Sequence, residues 1–341
     1  MKKFLCIALS LIMALTLLVG CGSSTATPPA EEGSKVYHVG ILQFMQHTSL
    51  DEISAAIVAQ LQQKAAESGI TIEVDLQNAQ GDQTNISTIT NQFISDKVDL
   101  VIAVATPAAQ GAAAALEGTD IPLIFSAVTD PVSSQLVDSM EVPGGNITGT
   151  SDYIPTEDIF KLAALLTPEV KSYGLMYCTS EVNSISVIKE ASAYLDNASI
   201  AYEEGAVTTV ADVQNVAQVL LGRNDAVFVP IDNTVASGMS VLAEEAIRAK
   251  KPVYVSADSM VKDGGLASIG CNYTMLGAKT ADMACRALLG EAVSTMPVEV
   301  LNERNVVVNL ATAKAIGITE EQISALSTAL SAEITLVGTE G

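Results

Sequence analysis

Positive charge is scarce in this chain. Its 341 residues include 17 Lys and Arg against 39 Asp and Glu, a formal net charge of −22. Clustered Lys and Arg hold phosphate backbones and anionic lipid surfaces, so nucleic acid and polybasic membrane docking are excluded on composition. Histidine occurs twice and tryptophan not at all, which leaves little acid–base capacity near neutral pH. The short patterns GxSxG, HExxH, GxxxxGK[ST] and GxGxxG are also missing; they would carry nucleophile, zinc, phosphate and dinucleotide chemistry. Paired carboxylates could still act as acid and base, which keeps a hydrolase open as an alternative. The expectation is a protein without catalytic residues and without a cofactor. Cys178, Cys271 and Cys285 lie in apolar runs with no CxxC spacing, and read as buried thiols rather than a disulfide or metal set.

The first residues read as a targeting segment. Lys2 and Lys3 precede an apolar run from Phe4 to Val19 that leads into Gly20 and Cys21. A basic start, an apolar stretch and small residues at the cut describe a secretory signal over residues 1–20. The run is about as long as a short membrane span, so an uncleaved anchor is the other reading. Leu18-Val19-Gly20-Cys21 resembles the lipobox of bacterial lipoproteins, which implies lipidation at Cys21 and an extracytoplasmic domain anchored to the cell membrane. Gly22 to Ser34, GSSTATPPAEEGS, is then a flexible tether that cannot pack a core.

Beyond the tether the chain repeats itself. Asp225 to Ser237 (DAVFVPIDNTVAS) and Asp99 to Gln110 (DLVIAVATPAAQ) are both an Asp, an apolar run, and polar residues opening a helix. Downstream, Pro122 to Ala127 (PLIFSA) corresponds to Pro252 to Ala257 (PVYVSA). Short buried strands alternating with helices predict parallel α/β construction in two similar lobes. Helices are expected at Leu50–Ser68, Asp82–Asp96, from Pro107, from Asp130-Pro131, at Thr156–Leu166 and at Met275–Leu289. Asn146 to Ser151 is expected to leave the first lobe, and Val298 to Asn309 to be one strand.

In open parallel sheets, ligands bind beyond the carboxyl ends of the strands. The predicted tips are residues 43–51, 106–109, 126–131, 178–184, 231–237 and 256–259. None contains Lys or Arg, yet they hold Asp51, Asp130, Glu181, Asp232 and Asp258. Without fixed cations such a site suits neither phosphates nor dianions. A single carboxylate can sit on amides at a helix start, helped by Thr106 and Thr129, while the surplus acids suit an ammonium. A zwitterion is the favoured solute, with a neutral sugar or nucleoside as the alternative. The candidate ligand-binding residues are Gln43, Phe44 and His47; Thr106, Pro107 and Ala108; and Ala127, Val128 and Thr129. From the second half they are Ser180, Glu181, Asn183 and Ser184, then Asp232, Asn233 and Asp258. Thr106, Asp130, Asp258 and one of Asp232 and Asn233 also read as helix N-caps. His47 and Asp51, four apart, could form a pair. Phe44, Tyr153 and Tyr273 could flank an aromatic ligand or simply pack the core.

These segments resemble, in order, the TrpX-like family of substrate-binding lipoproteins of ABC importers. The resemblance is carried by Val39 to Gln43 with His47 to Asp51, by Ala105 to Gln110, by Pro122 to Pro131 and by Asn146 to Asp152. Ser180 to Ser184, Asp232 to Thr234, and Asn272 to Gly277 with Thr280 to Met283 complete it. Thr48 stands where the family usually has Pro, and Cys178-Thr179 precede Ser180 where it usually has Asn. The resemblance implies a type I periplasmic-binding-protein fold with two Rossmann-like lobes joined by three crossovers. One lobe would be residues 36–152 with 275–293, the other 153–274 with 294–341. The expected mechanism is closure on a small solute, its carboxylate on N–H groups near Thr106 to Ala109 and at Ala127 to Thr129, its ammonium at Asp232 with Glu181 or Asp258. Delivery to a permease and its ATPase would follow; a receptor that presents ligand to a sensor is the alternative.

Overall fold

The computed structural model describes residues 35–301, 304–330 and 333–338. The leader, Cys21 and the tether through Ser34 lie outside them. The apolar runs of the first half stack into a six-stranded parallel sheet. Strand β1 (Val36–Gln43) is flanked by β2 (Thr71–Asn78) at the edge and β3 (Leu100–Val104) within; β4 (Leu123–Ser126) and β5 (Ile147–Ser151) follow. Burial follows position: β3, LVIAV, is buried throughout, whereas edge strand β2 is half exposed. Helices α1 (Thr48–Ser68), α2 (Gln83–Asp96) and α3 (Thr106–Leu116) connect these strands. Gly69 at φ 65° ends α1, its amide bonding Ala65 and Ala66 carbonyls, and Asp82 caps α2 through the amides of Thr84 and Asn85.

The second sheet opens with α4 (Thr156–Leu166), β6 (Ser172–Cys178), α5 (Val182–Ala198) and β7 (Ala201–Val207). It continues with α6 (Val213–Arg223), β8 (Ala226–Val229), α7 (Asn233–Ser237) and α8 (Met239–Ala249). After β9 (Val253–Val255) come α9 (Asp258–Lys262) and β10 (Ala267–Cys271). Phe160 of α4 anchors this core, its ring 5.0–5.2 Å from those of Tyr173, Tyr194 and Phe228. Helix α10 (Tyr273–Leu288) then packs on the first lobe, where Thr280 bonds Ser126 of β4 at 2.7 Å and Thr150 of β5 at 2.8 Å. Strand β11 (Glu299–Val300) pairs with β5. Strand β12 (Arg304–Asn309) runs antiparallel to β10, and α11 (Leu310–Ile316), α12 (Glu320–Leu330) and β13 (Ile334–Val337) follow. The orders are β11-β5-β4-β3-β1-β2 and β13-β12-β10-β9-β8-β6-β7. The lobes are thus crossed at residues 152–155, at Asn272 and between strands β11 and β12.

Four expectations need correction. Asn146 to Ser151 is no exit segment, because Ile147–Ser151 is strand β5 and the chain leaves after it. The stretch 298–309 is two strands in different sheets, so the final return comes after Val300 and not at Ser294. No helix follows Asp130; turns occupy residues 131–135, with Asp130 capping one through the Ser133 amide. Strand β13 was not anticipated.

Sheet closeness also constrains side chains. A Cβ on Gly149 would lie 2.0 Å from the Phe125 carbonyl oxygen, a backbone atom with no room to withdraw. We expect Gly149→Ala to destabilise the protein by about 1–3 kcal/mol through overpacking. Gly145→Ala, with nothing near its Cβ, should stay within about 0.5 kcal/mol. Urea denaturation of both checks this; equal stabilities would contradict it.

Candidate ligand-binding cleft

In each sheet the strand order reverses beside the first strand of the lobe, between β1 and β3 and between β6 and β8. Ligands of open α/β sheets bind at such switch points. Here the loops after β1 and β3 face those after β6 and β8, and a recess of about 350 Å³ lies between them. The lobes touch directly. Thr48 donates to Asp263 at 3.1 Å, Ser186 to Asp130 at 2.9 Å, and Lys262 pairs with Glu52 at 2.7 Å. Ser49 and Ser259 hydroxyls meet as well. The conformation is closed.

From the first lobe, His47, Ser49, Leu50, Thr106, Ala127 and Asp152 line the recess. Gln43 shapes the loop instead of facing it. Its amide donates to the Met45 carbonyl (2.8 Å) and Asp51 (2.7 Å) and accepts from Ser54 (2.7 Å). Asp51 thereby faces Gln43 rather than pairing with His47. Phe44, Pro107, Ala108 and Val128 are buried but do not line the recess. His47 crosses the cleft, its Nε2 lying 3.1 Å from Asn233 Oδ1. Thr106 is not the N-cap. Ala105 occupies that position at φ 81°, ψ 154°, so the Thr106 hydroxyl is left facing the recess. Ala127 is likewise at φ 56°. Such conformations cost an alanine about 1–3 kcal/mol and cluster where loops are held for binding.

Asp152 was not among the site candidates, and Tyr273 only as a ring that could flank an aromatic ligand or pack the core; both line the recess. Asp152 accepts from Thr129 at 2.9 Å and from the Tyr273 hydroxyl at 3.3 Å. Burial pushes its carboxyl up to about 6 against these two hydrogen bonds. Thr129 thus acts by holding Asp152. A lone Asp just past a strand carries no periodic signal, but its place at the first crossover could have marked it.

From the second lobe come Asn183, Ile231, Asp232, Asn233, Ala236, Ala257 and Met260. Asp232, 1% exposed, caps α7 through the Val235 amide (2.8 Å) and accepts from the Cys178 amide (2.6 Å). Burial first, then the negative charge of Glu181, pushes it up to about 7. Glu181 itself holds the loop, accepting from the Asn233 and Thr234 amides, the Asn233 side chain and the Thr234 hydroxyl at 2.6–3.0 Å. It does not line the recess, nor does Ser184, whose hydroxyl faces the Ile231 carbonyl. Ser180 is exposed beside Cys178. Asp258 is the first residue of α9 rather than its cap, lies outside the recess and pairs with Lys262 at 3.4 Å. It shares that lysine with Glu52, which lies closer at 2.7 Å. Tyr153 bonds Glu190 and does not line the recess.

Three side-chain atoms of the recess residues are buried without any protein partner: His47 Nδ1, Thr106 Oγ1 and Asn183 Oδ1. Buried polar atoms are rarely left so. Among the described residues no Lys or Arg lines the recess. The site therefore presents carboxylates, a neutral imidazole, amide and hydroxyl groups, beside apolar Leu50, Ile231, Met260 and the Tyr273 ring.

Known proteins share this architecture. A tyrosine-binding protein of Clostridioides difficile strain R20291 is 35% identical over 320 residues, covering 92% of each chain. An ABC domain from Streptococcus pneumonia, crystallised in complex with L-Trp, is 36% identical with a TM-score of 0.81, over 89% of this chain and all of that one. A ligand-free, open substrate binding protein with adhesive properties from Clostridium difficile is also 36% identical over 89% of this chain and 100% of its own, but superposes with a TM-score of 0.66. The nearer fit to a ligand-bound relative accords with the lobe-to-lobe hydrogen bonds. Residues 38–330 match the ABC transporter substrate binding protein family, and with two lobes closing over a polar recess the chain belongs to that family, whose members bind small-molecule solutes outside the cytoplasm and work with a permease and its ATPase.

Proposed function

We propose that this substrate-binding protein captures an amino acid with a large apolar or aromatic side chain, tyrosine or tryptophan first among them. We further propose that it is held at the membrane by lipid on Cys21. The tyrosine-binding relative and the L-Trp complex support the choice of ligand. The carrying observation is the set of unpartnered polar atoms around buried Asp232, with no cation on the lining. The ammonium meets Asp232. The carboxylate lies at the Thr106 hydroxyl and the amides of Thr106 and Ala108, because Pro107 has no N–H and the Ala109 amide is taken by the Ala105 carbonyl. Because these poles sit on different lobes, only the closed form satisfies both, and ligand shifts the population toward it. Catalysis has no part in this cycle. The closed form docks on the permease, and the ATPase drives release.

Thermal-shift screening against amino acids, sugars and nucleosides tests the ligand class. Tyrosine or tryptophan should raise Tm, and a response confined to sugars or nucleosides would refute the reading. Asp232→Asn keeps a good helix cap but removes the charge, so calorimetry should show affinity for tyrosine falling by about 2–5 kcal/mol. Unchanged affinity would leave Asp232 a cap alone.

Burial raises the Asp232 and Asp152 carboxyls to about 7 and about 6 from an ordinary 3.8. Raised in the closed protein, they bind protons more tightly there than in the unfolded chain. Their contribution to stability is present at low pH and lost as pH rises through about 6–7. His47 works oppositely: burial lowers it from 6.5, against Asn233, Glu181, Asp51 and Asp263, so its contribution is gained as pH rises toward 6.5. With two carboxyls against one imidazole, the Tm of the ligand-free protein should fall between pH 5 and pH 8. The tyrosine-induced shift should grow over the same range, as the ammonium replaces the proton on Asp232. A shift that shrinks with rising pH would contradict an ammonium at that carboxylate.

A further inference from the structure

The hydrogen-bond polarity of the recess can be followed outward from Glu181. A carboxylate only accepts, so Asn233 must turn its NH2 toward Glu181, and Nδ2 lies 2.6 Å away. Asn233 Oδ1 then faces His47 Nε2 at 3.1 Å. Two acceptors cannot share a hydrogen bond, so Nε2 carries the proton. A neutral imidazole has one N–H, which leaves Nδ1 as a bare acceptor, buried and without a protein partner. Asn183 is pinned in the same way. Its Nδ2 donates to the Ile231 carbonyl at 2.7 Å, and its Oδ1 is left buried and unpartnered. Asp232, also of the recess, uses one lone pair of each oxygen for the Val235 and Cys178 amides and keeps others free.

From this we infer that His47 Nδ1, Asn183 Oδ1 and Asp232 form a three-acceptor cradle for a primary ammonium group, with Glu181 as the positioning residue that sets its polarity. The inference rests on the amino-acid reading and narrows it. A primary ammonium has three N–H donors, one for each acceptor. An N-methylated amine has two and brings a methyl group among polar atoms; an α-hydroxyl has one and no charge. A buried acceptor left unpaired is what makes such sites reject near analogues.

Calorimetry with tyrosine, N-methyltyrosine and the α-hydroxy analogue of tyrosine reads the cradle directly. The methylated amine should bind at least about tenfold more weakly, and the hydroxy acid more weakly still. Equal affinities within twofold would overturn the cradle. Polarity is read by 15N NMR of the histidine rings in the tyrosine complex, and with two histidines in the chain a His38→Gln variant assigns them. We expect His47 protonated at Nε2 and bare at Nδ1; a proton on Nδ1 would overturn the assignment. Glu181→Gln should mix the two tautomers and weaken tyrosine, whereas an unchanged ring spectrum and affinity would remove Glu181 from its role. Should that variant not fold, the wild-type spectrum and the analogue series still decide. If only sugars or nucleosides bind, the amino-acid reading and the cradle both fall. If amino acids bind but methylation is tolerated, the cradle alone falls.

Discussion

Two buried carboxylates, each three residues past the end of β6 or β8 and with no cation bridged to either among the described residues, are the constraint on which the cleft depends. Burying charge without a partner is costly unless hydrogen bonds replace water. Glu181 meets this with four donors, all from residues 233 and 234. Asp232 has two backbone amides and, more weakly, the Ser184 hydroxyl. That asymmetry divides their roles: the first carboxylate is satisfied by the fold and fixes a loop, while the second remains short of partners until a solute arrives.

Closure uses weak contacts by design of position. Beside the Ser49–Ser259 and His47–Asn233 contacts, two lobe-to-lobe hydrogen bonds join a hydroxyl to a carboxylate, and the Lys262–Glu52 pair is over a quarter exposed on both sides. Such pairs contribute on the order of 1 kcal/mol or less. A receptor that must also open to load and unload is served by contacts of this kind. The apolar core is buried throughout, and the two sheets can turn relative to each other where the chain crosses between them, at residues 152–155, at Asn272 and after Val300.

Much of this was legible in the amino-acid sequence, because parallel strands buried on both faces announce themselves as apolar runs ending in polar tips. The duplicated DAVFVPIDN and DLVIAVATP segments located β8 and β3 and the loops that follow them. What could not be read were distinctions set by distant neighbours or by a single dihedral angle. Whether Thr106 caps α3 or faces the cleft depends on Ala105 adopting φ 81°. Glu181 resembles a ligand-facing acid until its four donors are seen, and Asp258 until Lys262 turns back to it. Asp152 and Tyr273 meet only because the chain crosses between lobes twice, 121 residues apart. A two-residue strand such as β11 is too short to show any period at all.

That short strand has a bearing on how the protein comes to be folded. The first sheet is closed at one edge by Glu299 and Val300 and covered by α10, so its last pieces leave the ribosome after five of the seven strands of the second sheet. An N-terminal fragment ending near residue 152 would bare Ser126 and Thr150, along with the groove that α10 fills. Vectorial emergence therefore cannot finish the lobes one after the other, and the chain must stay pliable until its final tenth is out, as a polypeptide threaded unfolded through a narrow export channel also must.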